Sequence, residues 1–432
     1  MSTEASVKEG AVNNNQIAII FNKLLIYMKH HKYFIICLLT ILITSCGNDP
    51  KKKLPLVNPI ENPAGMASSL PYVFSNAHGT WMSWVEREGD SLAILNYAEL
   101  RDSTWQEPEE IVQGTDWFVN WADFPVIAEN KGNFLSHVLK KSTSGTYSYD
   151  VKLNVLPKGE AYWQTDLPLN MDGTPTEHGF VTALPYQEDS FFVTWLDGRN
   201  TVATEGDTGG PMTIRAADVS AIGEISNETV LDASTCDCCQ TTAAITDNGP
   251  VVIYRNRSEE EIRDISIVRN VAGEWTAPKT IFDDHWEIKG CPVNGPKAAA
   301  IGNVLAIAWF TAAQEKPIVK LIFSDDGGAH FDVPIPISAT NAMGRVDVLL
   351  LDGQTAIVSW METQDDQAAV KALKVNRDGH VSNTLTITEL DASRSTGFPH
   401  MALMGDKVLF AWTDVTEAGS MVKTASVMVE RF

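Results

Sequence analysis

Seven times between residues 81 and 412 a short run of apolar positions ends on an aromatic residue or a histidine and gives way to a polar turn. The copies are Trp81-Met82-Ser83-Trp84, Phe134-Leu135-Ser136-His137, Phe192-Val193-Thr194-Trp195, Val251-Val252-Ile253-Tyr254, Ala306-Ile307-Ala308-Trp309, Ile357-Val358-Ser359-Trp360 and Leu409-Phe410-Ala411-Trp412. Their last residues lie 53, 58, 59, 55, 51 and 52 positions apart. Runs this short, rich in β-branched and aromatic residues and separated by Gly, Asn and Asp, read as strands. A steady period above fifty matches one four-stranded propeller blade per copy. A pair of β-sandwiches would not hold one period along the chain, and no amphipathic helix of three turns is evident after residue 46.

Residues 240–282 show the grammar of one blade. Strand a is expected over 240–246, strand b over 250–256, strand c over 262–269 and strand d over 275–282, with Asp247-Asn248-Gly249 turning the first hairpin. Asn-Gly between apolar runs is a strong hairpin signal, because both residues tolerate positive φ. Seven copies predict an all-β propeller of seven blades over 59–432, with six blades the alternative. Only one further strand, 422–429, follows the last copy, so 56–69 is expected to supply the missing one. A ring closed by both chain ends has no free sheet edges.

Charge narrows the partners. The 432 residues carry a formal charge of -22. Nucleic acid and anionic membrane surfaces both demand a basic face, so neither is expected to meet the fold. The N-terminus adds an address: Met28-Lys29-His30-His31-Lys32 is a basic start, 33–43 an apolar run too short to span a bilayer stably, and Thr44-Ser45-Cys46-Gly47 a small-residue stop. In this order the three resemble a bacterial lipoprotein signal over 28–45, with Cys46 lipidated and 1–27 an upstream extension. The polar, proline-bearing stretch 46–58 reads as a tether. The expectation is a cell-envelope protein, at the outer membrane or cell surface, that meets the membrane through its lipid alone. Loss of 1–45 would leave 29 basic against 53 acidic side chains. Export would also place the remaining cysteines in an oxidising compartment.

Ile322-Phe323-Ser324-Asp325-Asp326-Gly327-Gly328-Ala329-His330-Phe331 resembles the Asp-box, or BNR repeat, of the sialidase-like propellers, with Ser324, Asp326, Gly328 and Phe331 at the motif positions. Three further stretches are similar to a group of exported bacterial sialidase-like, BNR-repeat proteins. They are Cys236-Asp237-Cys238-Cys239-Gln240, then Tyr254-Arg255-Asn256-Arg257 with Ile262-Arg263-Asp264-Ile265, then 286–296, containing Gly290-Cys291-Pro292-Val293-Asn294-Gly295-Pro296. The resemblance implies a propeller and a glycoside hydrolase. Two features depart from it: sialidases of this superfamily are usually six-bladed, and the Arg-Ile-Pro signature that supplies one of their carboxylate-binding arginines is absent.

In a propeller the d-to-a and b-to-c connections open on one face, where ligands usually bind, and this places the chemistry-bearing residues together. Arg199, Arg255, Arg257, Arg263, Arg345 and Arg394 are candidates to grip an acidic sugar or other anion through their planar forks, with Trp286 beside them. Any one of them could equally salt-bridge a neighbouring loop. Hydrolysis needs a carboxyl with raised proton affinity, and the sialidase resemblance implies a tyrosine nucleophile. Asp123 and Glu177 are the acid/base candidates and Tyr254 the candidate nucleophile, although Tyr254 also occupies the packing position of the repeat. His178 and His400 are candidate metal ligands or buried hydrogen-bonding groups.

The cysteines leave three readings open. Cys236 and Cys238 or Cys239 precede strand a of one blade and Cys291 that of the next, so a disulfide between blades is expected, with an adjacent Cys238-Cys239 pair a further possibility. A copper or zinc thiolate site is the second reading, and no other cofactor is implied. Redox catalysis is the third, without a thioredoxin-like context. The functions that follow are a glycoside hydrolase for acidic glycans, a non-catalytic propeller binding a glycan or protein, or a thiolate metal-binding protein.

Overall fold

The computed structural model describes residues 56–202, 209–338, 341–364 and 367–432, together with 19, 22–23 and 25–26. Cys46, the signal over 28–45 and residues 46–55 of the tether lie outside the described residues. Residues 56–432 form one compact unit. Each of the seven apolar phrases is the second strand of a separate antiparallel sheet, so the chain is a seven-bladed β-propeller. Within 56–432 the described residues hold no α-helix, only short 3-10 turns such as Ala313–Glu315 and Arg394–Thr396.

Blade 1 runs through Ser68–Asn76, Gly79–Glu88 and Leu92–Arg101 to Glu109–Gly114, and blade 2 from Ile127–Asn130 through Asn133–Lys141 and Tyr149–Leu156 to Gln164–Pro168. Blade 3 comprises His178–Tyr186, Ser190–Asp197, Thr213–Ser220 and Ile225–Asp232. In blade 4, Thr242–Thr246 and Gly249–Arg255 meet at the expected hairpin, with Thr246 opposite Gly249 and φ of 131° at the glycine. Lys297–Ile301 opens blade 5, Ala342–Leu350 blade 6 and His400–Met404 blade 7. Asn58–Ile60 pairs with Gly419–Met428 in the register Asn58 to Ser426, and so closes blade 7 as expected.

The tryptophans that end the repeat lie between blades. Trp84, Trp195 and Trp309 are fully buried, and each indole N–H donates to a carboxylate: Trp84 to Glu86 at 2.7 Å, Trp195 to Asp197 at 2.9 Å and Trp309 to Asp284 at 2.7 Å. Burial of a large ring with its one polar atom satisfied is strongly stabilising, and truncation of such a residue costs about 3–5 kcal/mol. Apolar clusters pass the core around the ring: one runs through blades 1 to 4, and others join blade 4 to 5, 5 to 6, 6 to 7 and 7 back to 1. The Ser324 to Phe331 turn closes on itself, Gly328 N–H and Ser324 Oγ lying 2.9 Å apart and His330 N–H donating to Asp326 Oδ1 at 2.9 Å.

One backbone device recurs where the first strands begin. In blades 1, 3 and 6 that strand is bulged at a residue with positive φ: Leu70 at 56°, Phe180 at 53° and Arg345 at 51°. The bulge turns the residue's N–H sideways, and each is met by a side chain from elsewhere in the ring. Leu70 donates to Thr413 Oγ1 at 3.1 Å, Phe180 to Asp123 Oδ1 at 2.7 Å and Arg345 to Asn294 Oδ1 at 2.8 Å. An alcohol, a carboxylate and an amide thus serve one structural purpose.

Candidate active site

The connections expected to share a face do so. A cleft of about 380 Å³ is lined by residues from the d-to-a connections before blades 2, 3, 4, 5 and 7, and from the b-to-c connection of blade 2. Asp123, Tyr149 and Glu177 meet in it. Tyr149 opens the third strand of blade 2, and its backbone pairs across to Glu177, with Tyr149 N–H donating to Thr176 O at 3.1 Å. Its hydroxyl stands 2.6 Å from Glu177 Oε1 and 3.3 Å from Asp123 Oδ2. A phenol has one proton. When that proton goes to Glu177, the contact with Asp123 is filled by a protonated Asp123 donating in turn.

The electrostatics favour that arrangement. Asp123 is 2% exposed, and burial, reinforced by the charge of Glu177, pushes its carboxyl up to about 8 against the opposing pull of the Phe180 N–H. Burial also lifts Glu177 to about 7, with Asp237 adding to the rise and the Tyr149 hydroxyl opposing it. Both carboxyls are thus lifted toward neutrality, Asp123 in part by the charge of Glu177. Tyr149, raised by burial and by both carboxyls, stays a neutral phenol.

Around this chain the walls are aromatic. Phe118 stacks on Tyr149 at 4.3 Å with a 13° interplanar angle, and Tyr147, 62% exposed, packs edge-on to Phe118. Trp121 stacks on Phe398, and the guanidiniums of Arg345 and Arg394 lie 5.0 and 5.9 Å from its ring. Arg394 is exposed, lines the cleft, and has no carboxylate partner among the described residues. Arg345 lies deeper, donating to Thr396 Oγ1 and Gly397 O at 2.8 Å each, and burial beside Arg394 pulls it down to about 10.

The remaining expected ligand-binding residues are absorbed by the scaffold. Arg255, 2% exposed, gives its fork to the carbonyls of Asn294, Arg263 and Phe310 and rests on Trp286, which is itself buried. Arg199 is held by Asp197 and Glu228, Arg257 by Asp237 and Glu261, and Arg263 by Glu261. Tyr254 is buried with its hydroxyl on Asp232, outside the cleft, so packing wins over the nucleophile role expected for it. His178 is fully buried between Asp172, 3.1 Å away, and Asp197. His400 packs edge-on to Tyr72 and Phe124 beside a second, axial cavity of about 470 Å³, which also contains Lys297 and Asp347.

The disulfide between blades is not formed. Cys236, Cys238, Cys239 and Cys291 are free thiols, and Cys291 is exposed on the cleft while Cys236 and Cys239 are buried. Cys236 Sγ lies 3.9 Å from Cys238 Sγ and 3.5 Å from Cys239 Sγ. Hydrogen bonds from Cys238 and then Cys239, together with the Arg263 charge, hold the Cys236 thiol well below its ordinary value.

Sequence reasoning missed Tyr149 and Asp237. A signal for the first existed: Tyr147-Ser148-Tyr149 ends a b-to-c connection, on the face already assigned to Asp123 and Glu177.

No family model matches the chain, and no curated protein does. Among solved structures it is similar to the polysaccharide lyase Uly1, at 8% identity and a TM-score of 0.49 over 83% of this chain and 89% of that one. It is also similar to a mutant of NanB sialidase from Streptococcus pneumoniae, at 10% identity and 0.45 over 89% and 73%. A third is the alpha-L-arabinanase of Penicillium chrysogenum, at 10% identity and 0.46 over 87% and 99%. At such identities no residue role passes from those enzymes to this chain.

Proposed function

We propose that this propeller is a glycan-acting enzyme, a glycoside hydrolase for acidic glycans. The observation that carries the reading is the Asp123, Tyr149 and Glu177 chain at the base of an aromatic cleft. The fold itself does not require an acid at position 123, because the amide of Asn294 meets the equivalent bulged N–H of Arg345. An acid there, with proton affinity raised to about 8, has a use other than holding the strand.

Glu177, partly exposed, is the group within reach of a sugar. With a value of about 7 it holds a proton to give and can take one back, the match to working pH that general acid–base catalysis needs. In hydrolysis it protonates the glycosidic oxygen as the bond to the anomeric carbon breaks. Tyr149 passes a replacement proton from Asp123, and the attacking water returns one to the chain. Apolar sugar faces stack on the Trp121 and Tyr147 side of the cleft. Arg394, without a carboxylate partner among the described residues, takes the substrate's carboxylate.

Turnover on a panel of sialyl and uronyl glycosides tests this. Wild type should release reducing sugar, and Glu177→Gln should lose ~100-fold or more in kcat while still binding. Glycan binding by wild type without any cleavage would replace the enzyme with a non-catalytic glycan-binding propeller. An unsaturated product would replace hydrolysis with elimination.

A further inference from the structure

The acid chain makes no use of a cluster of three thiols that meets the cleft at Cys238 and continues behind its wall with Cys236 and Cys239. Their sulfurs all lie within 4.8 Å of one another, and Cys291 does not join them. The separations of 3.5 and 3.9 Å from Cys236 are far beyond the ~2.05 Å of a disulfide. Thiolates ~2.3 Å from a metal stand roughly 3.8 to 4.0 Å apart in tetrahedral or trigonal geometry, so the 3.9 Å separation already fits a shared ion and the 3.5 Å one needs to open by only about 0.3 Å.

The sulfurs are also held and polarised as metal ligands are. Gln240 anchors the end of the segment, its amide donating to Ala122 O at 2.7 Å and its Oε1 accepting from Gly295 N–H at 3.1 Å. Cys236 N–H donates to Arg255 O at 3.1 Å. Two donors point at the sulfurs themselves: Arg263 Nη1 lies 3.1 Å from Cys236 Sγ, and Asn294 N–H lies 3.4 Å from Cys239 Sγ. Contacts of this kind orient ligands and offset the negative charge of thiolates.

The ligand set selects the ion. Three soft sulfurs with no imidazole or carboxylate among them favour copper(I), which is content with three ligands, whereas a structural zinc site takes four. We propose that Cys236, Cys238 and Cys239 form a three-coordinate copper(I) site in the wall of the cleft. Cys238 lines the cleft, so the bound ion would sit beside the proposed glycan pocket.

The test uses the full chain, reduced, freed of reductant under anaerobic conditions, and titrated with copper(I) against the chromophoric chelator bathocuproine disulfonate. One copper per chain is expected in wild type and in Cys291→Ser, and none in Cys236→Ser, Cys238→Ser or Cys239→Ser. X-ray absorption should show three sulfur neighbours at about 2.3 Å. If the variants of the two buried cysteines fail to fold, Cys238→Ser, at the partly exposed position, decides. Wild type that retains no copper, variants that retain it all, or zinc displacing copper mole for mole would each overturn the assignment.

Discussion

Gly179 stands so close to Asp123 that a Cβ in its place would lie 2.0 Å from Asp123 Oδ2. Gly344 bears the same relation to Asn294, at 2.1 Å from its Oδ1. At these two bulges the preceding glycine is therefore the space into which the accepting side chain fits. Gly179→Ala should push Asp123 away from both the Phe180 N–H and Tyr149, costing about 1–3 kcal/mol as overpacking does. Turnover should fall by more than the loss of folded protein explains, as paired measurements of Tm and kcat would show.

The pH dependence of stability follows from these two acids. In the folded protein Asp123 and Glu177 hold protons up to about 8 and about 7, well above ordinary carboxyls. Raised values stabilise the fold fully below the unfolded carboxyl range near pH ~4, and that contribution is lost as pH rises through the folded values. Thermal melts should fall between mildly acid and mildly alkaline buffer. Asp123→Asn, which keeps the acceptor for Phe180, should flatten the decline, and an unchanged decline would assign it to other groups.

Two arginines expected to act alike should separate cleanly. Arg255→Ala strands buried carbonyls at Asn294, Arg263 and Phe310 and should cost about 3 kcal/mol or more in denaturant unfolding. Arg394→Ala should change stability by less than ~0.5 kcal/mol, because the side chain is exposed and has no carboxylate partner among the described residues. Its effect should appear as a raised KM for acidic glycans and an unaltered one for neutral glycans.

Tyr254→Phe removes the hydroxyl that meets Asp232 and should cost about 1 kcal/mol. Since Tyr254 lies outside the cleft, kcat should not move. A large loss of kcat would restore the nucleophile role to this residue.

The fold was legible because packing repeats. A ring side chain fills the gap between blades at the same point of each sheet, and in five of the seven it is a tryptophan, so Trp84, Trp195, Trp309, Trp360 and Trp412 recur in step with the period and betray the propeller. Asp123 and Glu177 could be placed together because topology assigns their connections to one face. The arginines could not be sorted in this way. Whether a guanidinium meets a ligand or a carbonyl depends on which backbone passes beneath it, and the Phe310 carbonyl that takes Arg255 is 55 residues away. Tyr149 was hidden for the opposite reason: an aromatic residue at a strand start is ordinary in sequence, and only the meeting of two carboxyls on its hydroxyl makes it unusual.

The closing strand has a mechanical consequence. Asn58–Ile60 joins Gly419–Met428 through three residue pairs, helped by Thr424 Oγ1 donating to Ile60 O at 2.7 Å, whereas Lys407–Thr416 shares ten pairs with Gly419–Met428 and five with His400–Met404. A pull applied through the segment before residue 56 would load this short seam first. Stretched by that end in a force-spectroscopy measurement, the ring should open in a small early step at blade 7 before any blade unravels. A first rupture that unfolds a whole blade would show the seam to be stronger than its length suggests.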